Sequence, residues 1–120
     1  MSVKTTYQTG LIAEVMAAWM LRLKGYHVIA RRYKTPVGEI DIIARRKDVL
    51  VFAEVKARKA LDDALESVTP TMRKRITRAA EWFISQNPQY AESVLRFDLV
   101  ACAPPFSVRH LDNAWQADHN

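Results

Sequence analysis

Apolar residues recur at the helical period near the start of the chain, at Leu11, Ile12, Val15, Met16, Trp19, Met20 and Leu23. The spacing predicts a helix from about Tyr7 to Lys24, stopped by Gly25. Glu14 falls opposite that stripe, and its neighbours one turn away are Gly10, Leu11, Ala17 and Ala18 rather than charges. A solvated face would be more polar, so Glu14 reads either as an acid directed at a site or as an ordinary exposed glutamate. Tyr26 to Tyr33 predicts a strand. After the turn Thr35-Pro36-Val37-Gly38, the alternation from Val37 to Ala44 predicts a second strand. The apolar run Val49 to Ala57 predicts a third, with Arg46-Lys47-Asp48 as the tight turn between them.

Between Lys59 and Val68 the pattern is ambiguous. Leu61, Ala64, Leu65 and Val68 recur at helical spacing, yet the segment follows directly on the third strand and reads equally as a mobile loop. Thr69-Pro70 then predicts a helix start, with Thr69 as N-cap and Pro70 in the first helical position. That helix runs to about Gln86, where Asn87-Pro88 ends it, with Ile76, Ala79, Ala80 and Phe83 as its inner face. Val94 to Cys102 alternates, with Leu95, Phe97, Leu99 and Ala101 on one side and Arg96, Asp98 and Val100 on the other. Asp98 reads as structural, paired with Arg96 or another basic neighbour. Phe106 to Leu111 predicts a short edge strand after Pro104-Pro105, and 116–120 a frayed tail.

A helix, three strands, a helix and two strands predict an α/β architecture, with helices on a mixed central sheet. At 120 residues, 49% hydrophobic and 26% charged, without repeat or linker, the chain reads as one domain, residues 1–115, ahead of the tail. The net charge of +5 favours an anionic partner. Its distribution says more than its sum. Arg22, Lys24, Arg31, Arg32 and Lys34 fall in a stretch without acids, and Arg73, Lys74, Arg75 and Arg78 open the second helix. Lys74 and Arg78, one turn apart, can project together towards phosphates or form a solvated basic face.

Cys102 is the single cysteine, which rules out an intramolecular disulfide or a cysteine-based zinc cage and suits a reducing compartment. The apolar stretch from Leu11 to Leu21 is too short to span a bilayer and is interrupted by Glu14. The N-terminus lacks the pattern of a signal peptide, so a cytoplasmic protein without membrane contact is expected. His27, His110 and His119 show neither metal-ligand spacing nor a partnered nucleophile.

The chemistry concentrates in Gly38-Glu39-Ile40-Asp41 and Glu54-Val55-Lys56. Side chains two apart on a strand share a face, so Glu39 goes with Asp41 and Glu54 with Lys56, and antiparallel pairing can bring Asp41 beside Glu54. Mg2+ commonly takes only one or two protein carboxylates and leaves its other positions to water and phosphate. Asp41 and Glu54 could supply them, with Lys56 orienting the attacking water or neutralising developing charge. A cross-strand salt bridge is the competing reading. Ile40, Ile42, Ile43, Val49, Val51, Phe52 and Val55 give the charges apolar surroundings, which favours a site, because charges there are costly unless paired or metal-bound.

Gly38-Glu39-x-Asp41 followed by Phe52-x-Glu54-x-Lys56-x-Arg58 resembles the PD-(D/E)xK nuclease superfamily. More narrowly, the chain is similar to the YraN-like family, small bacterial proteins distantly related to archaeal Holliday-junction resolvases. The resemblance extends to Gly10-x-x-x-Glu14-x-x-Ala17, Gly25-Tyr26, Arg96-Phe97-Asp98 and His110-Leu111-x-Asn113-Ala114, and so covers residues 10–115. No Pro-Asp dipeptide precedes the first acid here, and Ala53 stands where relatives often carry valine.

The resemblance implies a restriction-endonuclease-like fold, with Asp41 and Glu54 as metal ligands, Lys56 as the catalytic lysine and Glu14 as an auxiliary acid. It makes the chain a Mg2+- or Mn2+-dependent endonuclease on DNA, branched or otherwise structured, with Arg58, Arg73, Lys74, Arg78, Arg31 and Arg32 holding the backbone. A non-catalytic nucleic-acid-binding adaptor with the same fold is the alternative, and a structural ion-pair cluster a third. Junction-resolving relatives work as dimers, and a homodimer here is left open, with Trp82, Phe83 or the 106–111 edge as its surface.

Overall fold

The computed structural model describes residues 3–103, 105 and 107–117. Helix α1, Val3–Leu23, is followed by strands β1, His27–Thr35, β2, Gly38–Arg46, and β3, Val49–Lys56. Helices α2, Leu61–Glu66, and α3, Pro70–Gln86, lead through a short 3-10 turn to β4, Val94–Ala103, and β5, Ser107–Trp115. The five strands form one sheet in sequence order. All neighbours are antiparallel except β3 and β4, which the α2-α3 crossover joins in parallel. The architecture is the expected α/β one, a mixed five-stranded sheet flanked by helices, consistent with a restriction-endonuclease-like fold.

Local chemistry accounts for the boundaries. Gly25, at φ +92°, ends α1 in a left-handed turn in which the Tyr26 N–H donates to the Leu21 carbonyl and the Gly25 N–H to that of Arg22. That pair of bonds satisfies carbonyls the helix leaves open. In the turn before β2, the Thr35 hydroxyl oxygen accepts from the N–H groups of Val37 and Gly38. Thr69 caps α3 by accepting from the Met72 N–H, as its position before Pro70 predicts. The ambiguous 59–68 segment contains the short helix α2, which buries Ala64, while Val68 beyond it is buried too. The edge strand is longer than its apolar pattern indicates, because β4 pairs with it as far as Trp115. Phe106 and residues 118–120 lie outside the described residues.

Each sheet face carries its own core. On one, Ile40, Ile43, Leu50, Phe52 and Leu99 meet Ile76, Ala79, Ala80 and Phe83 of α3. On the other, Ile42, Ala44, Val51, Ala53, Val100 and Cys102 meet Ala13, Ala17, Ala18 and Leu21 of α1. The second core corrects the stripe read from periodicity. The face of α1 that packs is its small-residue face together with Glu14, whereas Ile12, Val15, Trp19 and Leu23 remain 49%, 40%, 59% and 85% exposed. The reason is steric. A helix that touches all five strands lies close to the sheet, and alanine permits that approach where tryptophan would not. Phe83 is also buried, so of the aromatic pair suggested for a dimer surface Trp82 alone is exposed.

Asp98 is fully buried on β4 and is structural, as expected. Its carboxylate accepts two bonds from the Arg96 guanidinium, both at 2.8 Å, a 2.7 Å contact from His110 Nε2, and the Asn113 N–H at 3.0 Å. Arg96 also donates to the Tyr26 hydroxyl. Burial alone would raise the Asp98 pKa, but these donors together hold it below the ordinary carboxylate value. A depressed pKa contributes stability above the unfolded value, lost as pH falls through the folded one. Asp98→Ala is expected to cost about 3–5 kcal/mol, by urea unfolding at neutral pH, and to flatten the acid limb of the stability profile. A loss below about 1 kcal/mol would show that the buried cluster tolerates an unpaired Arg96.

Candidate active site

The ladder between β2 and β3 runs from Arg46↔Val49 to Ile42↔Ala53 and stops there. Beyond that point β2 stays with β1 as far as Gly38, and β3 stays with β4 as far as Lys56. The sheet therefore forks, and the next residues on its two arms are Asp41 and Glu54. In the gap the Val55 N–H has no backbone partner on β2 and donates instead to Asp41 Oδ2 at 2.8 Å. Ile40 and Ile43 enter one core while Ile42 enters the other, so strict alternation also breaks at Asp41. The kink leaves a carboxylate in the cleft between the strands.

On the α1 side, a recess of about 260 Å³ is lined by Gly10, Leu11, Glu14, Arg32, Glu39, Asp41 and Val55. On the α3 side, one of about 210 Å³ is lined by Gly38, Glu39, Glu54, Met72, Arg75 and Ile76. Gly38 lets β2 enter close to α3, since a Cβ there would stand a tight 3.1 Å from the Arg75 carbonyl oxygen. Sequence reasoning omitted Glu39 and Arg75 from the site. Glu39 could have been included, two residues from Asp41 and on the same face, but nothing in the basic run distinguishes Arg75 from its neighbours.

The electrostatics differ from those of a satisfied ion pair. Glu54 is 8% exposed. Burial, and then its hydrogen bond and like charge with Asp41, push its carboxyl up to about 9 against a smaller opposing pull from Lys56. Lys56 Nζ lies 3.7 Å from Glu54 Oε2, on the same face as predicted. Glu14, equally buried, is raised by burial and by Asp41 and pulled back by Arg32 and Arg31. A carboxyl kept protonated by burial beside a second acid is one from which a divalent cation could displace the proton. Among the described residues, no three acidic, histidine or cysteine side chains form a ready-made metal cage, so a cation here would have Asp41 and Glu54 as candidate protein donors and water for its other positions. Hard oxygen donors, one or two in number, suit Mg2+ or Mn2+.

The proposed phosphate-binding residues are dispersed. Arg31 and Arg32 reach Glu14 across the α1-side recess. Arg58 is exposed just beyond β3, and Arg78 is exposed on α3 with Lys74 half-buried a turn before it. Arg73 departs from that group. Its guanidinium lies 5.8 Å from the centre of the Trp115 ring, on β5.

A family model described as "Uncharacterised protein family UPF0102" matches residues 13–102, which hold Glu14, Asp41, Glu54 and Lys56. The chain belongs to this family. It is the YraN-like family that the motif set resembles. A UPF0102 protein of Rhodopseudomonas palustris (strain HaA2) is 50% identical over 111 residues, covering 92% of this chain and 87% of the relative. One of Chelativorans sp. (strain BNC1) is 46% identical over 117 residues, covering 98% and 94%. The matched segment of this UPF0102 chain contains the whole fork. No helix among its described residues is long and apolar enough to cross a membrane.

The raised Glu54 pKa has a measurable consequence in the UPF0102 fold. Its stabilising protonated form is fully present below the unfolded value and is lost as pH rises through the folded one. Metal-free protein is therefore expected to lose urea resistance between the ordinary value of 4.5 and about 9. Glu54→Gln should flatten that slope. If the slope is the same in both proteins, the Glu54 carboxyl is not raised in the folded state.

Proposed function

We propose that this UPF0102 chain is a divalent-metal-dependent endonuclease of the PD-(D/E)xK type, hydrolysing phosphodiester bonds in branched or otherwise structured DNA in the cytoplasm. The observation that carries the reading is the fork, where Asp41 and Glu54 face one another beside the Lys56 ammonium. Asp41 and Glu54 would hold Mg2+ or Mn2+, which when bound supplies Lewis acidity and a more acidic water. The chain's own residues do the rest. Asp41 is aimed by the Val55 N–H, which fixes one of its oxygens and leaves the other to the cleft. Lys56, held near Glu54 and half-buried, can orient the attacking water or neutralise charge developing on the phosphate. Glu14 adds an auxiliary carboxylate from α1, and Arg75, Arg58, Lys74 and Arg78 offer cations to the phosphate backbone on the α3 side and beyond β3.

A buried Glu54 beside a second acid and a lysine favours this over a structural salt bridge, because a structural cluster would be expected to satisfy its charges as Asp98 does. The test is cleavage of end-labelled duplex, single-stranded, flap and four-way-junction DNA with Mg2+ or Mn2+. Wild type should cut. Lys56→Ala and Asp41→Ala should each cut at least about 100-fold more slowly, while Lys56→Ala keeps its DNA affinity. Binding without cutting by all three proteins would discard the nuclease and leave a nucleic-acid-binding adaptor.

A further inference from the structure

Adjacent residues on a strand point to opposite faces of the sheet. Arg31 and Arg32 nevertheless approach the same carboxylate, Arg31 Nε lying 3.7 Å from Glu14 Oε1 and Arg32 Nε 3.9 Å from Glu14 Oε2. The backbone explains how. Arg32 has φ +53°, in the left-handed region that a residue with a Cβ rarely occupies. The β1-β2 ladder pairs Arg31↔Ile42 and Tyr33↔Ile40 but skips the position between them, where Arg32 faces Asp41. Among the described residues, Lys47 and Asn113 are the other non-glycine residues at positive φ. Lys47 lies in the tight turn between β2 and β3, and Asn113 where the β4-β5 register shifts, so both have a local reason for it. Arg32 lies within a strand, directly opposite a candidate metal ligand.

We propose that Arg32 is a positioning residue whose left-handed backbone, by breaking the alternation of β1, brings two consecutive guanidiniums onto Glu14 and holds that carboxylate over the cleft beside Asp41. Glu14 and Arg32 line the same recess as Asp41. A glutamate otherwise free to rotate is thus held at both oxygens by charges from a strand on the far side of the recess. The consequence is a carboxylate held beside Asp41 in the α1-side recess, from which it could act through a water on a divalent cation at Asp41. Arg31 supplies half of the grip, and the conformation of Arg32 makes the joint grip geometrically available. This inference rests on the metal-site reading above.

Thermal unfolding of wild type, Arg32→Gly, Arg32→Ala and Arg31→Ala, without metal and across a MnCl2 titration, separates the two claims. Glycine adopts positive φ freely and alanine does not, so metal-free Arg32→Gly should melt above Arg32→Ala. Both Arg32 variants and Arg31→Ala should need about tenfold more Mn2+ than wild type for a half-maximal rise in melting temperature, as is typical when the support behind a metal ligand is removed. A merely structural Arg32 would leave that Mn2+ requirement unchanged. The inference is overturned if wild type responds to Mn2+ and Arg32→Gly responds identically, or if Arg32→Ala melts no lower than Arg32→Gly. A wild type indifferent to Mn2+ would overturn the metal site itself and this inference with it, a result distinct from either.

Discussion

Where β2 and β3 part, the Val55 amide loses its cross-strand partner and takes the Asp41 carboxylate instead. Buried backbone donors are costly to leave unpaired, so this side-chain substitute lets the sheet open without an orphaned N–H. Every other feature of the cleft follows from it. The opening gives Glu54 a recess on the α3 face and Asp41 one on the α1 face, with Glu39 bordering both. The same hydrogen bond occupies one carboxylate oxygen of Asp41 and leaves the other available in the cleft.

Two buried acids show how differently a fold can treat a carboxylate. Asp98 receives donors from Arg96, His110 and the Asn113 amide, and its pKa falls despite complete burial. Glu54 has Asp41 as its neighbour and a lysine 3.7 Å away as partial compensation, and its pKa rises. The Asp98 network ties β4 to the distorted end of β5 and, through Tyr26, to the exit of α1. It cross-links three elements through one well-paired acid, whereas Glu54 in the cleft has only a lysine 3.7 Å away as a counter-charge. That division fits the general tendency of catalytic groups to lie in environments that perturb them while structural polar groups are fully paired.

Helix α1 serves both regions. Its alanines bring the helix close enough to the sheet to bury Glu14 to 8% exposure and set it at the rim of the cleft. The larger apolar side chains that would prevent this approach are turned outward, where Trp19 also carries the Arg22 guanidinium 5.1 Å from its ring centre. A helix with two apolar faces of different size can present the same periodicity whichever face packs. Hydrophobicity alone favours the larger stripe, and close approach favours the smaller one.

The sequence by itself determined the α/β class, the order of the elements, the Thr69-Pro70 helix start, the Gly25 stop and the adjacency of Asp41, Glu54 and Lys56, because each depends on residues near in the chain or on side-chain alternation along a strand. It also pointed to Asp98 as structural, through its neighbour Arg96 on the same strand face. The partners His110 and Asn113 lie on another strand and carried no local sign of that role. Only the tertiary structure decided which face of α1 is buried, that Arg73 lies across Trp115 while Arg75 lines the cleft, and that Arg31 and Arg32 converge on Glu14. These depend on how closely elements approach and on a backbone torsion at Arg32, and neither quantity is encoded in the spacing of polar and apolar residues.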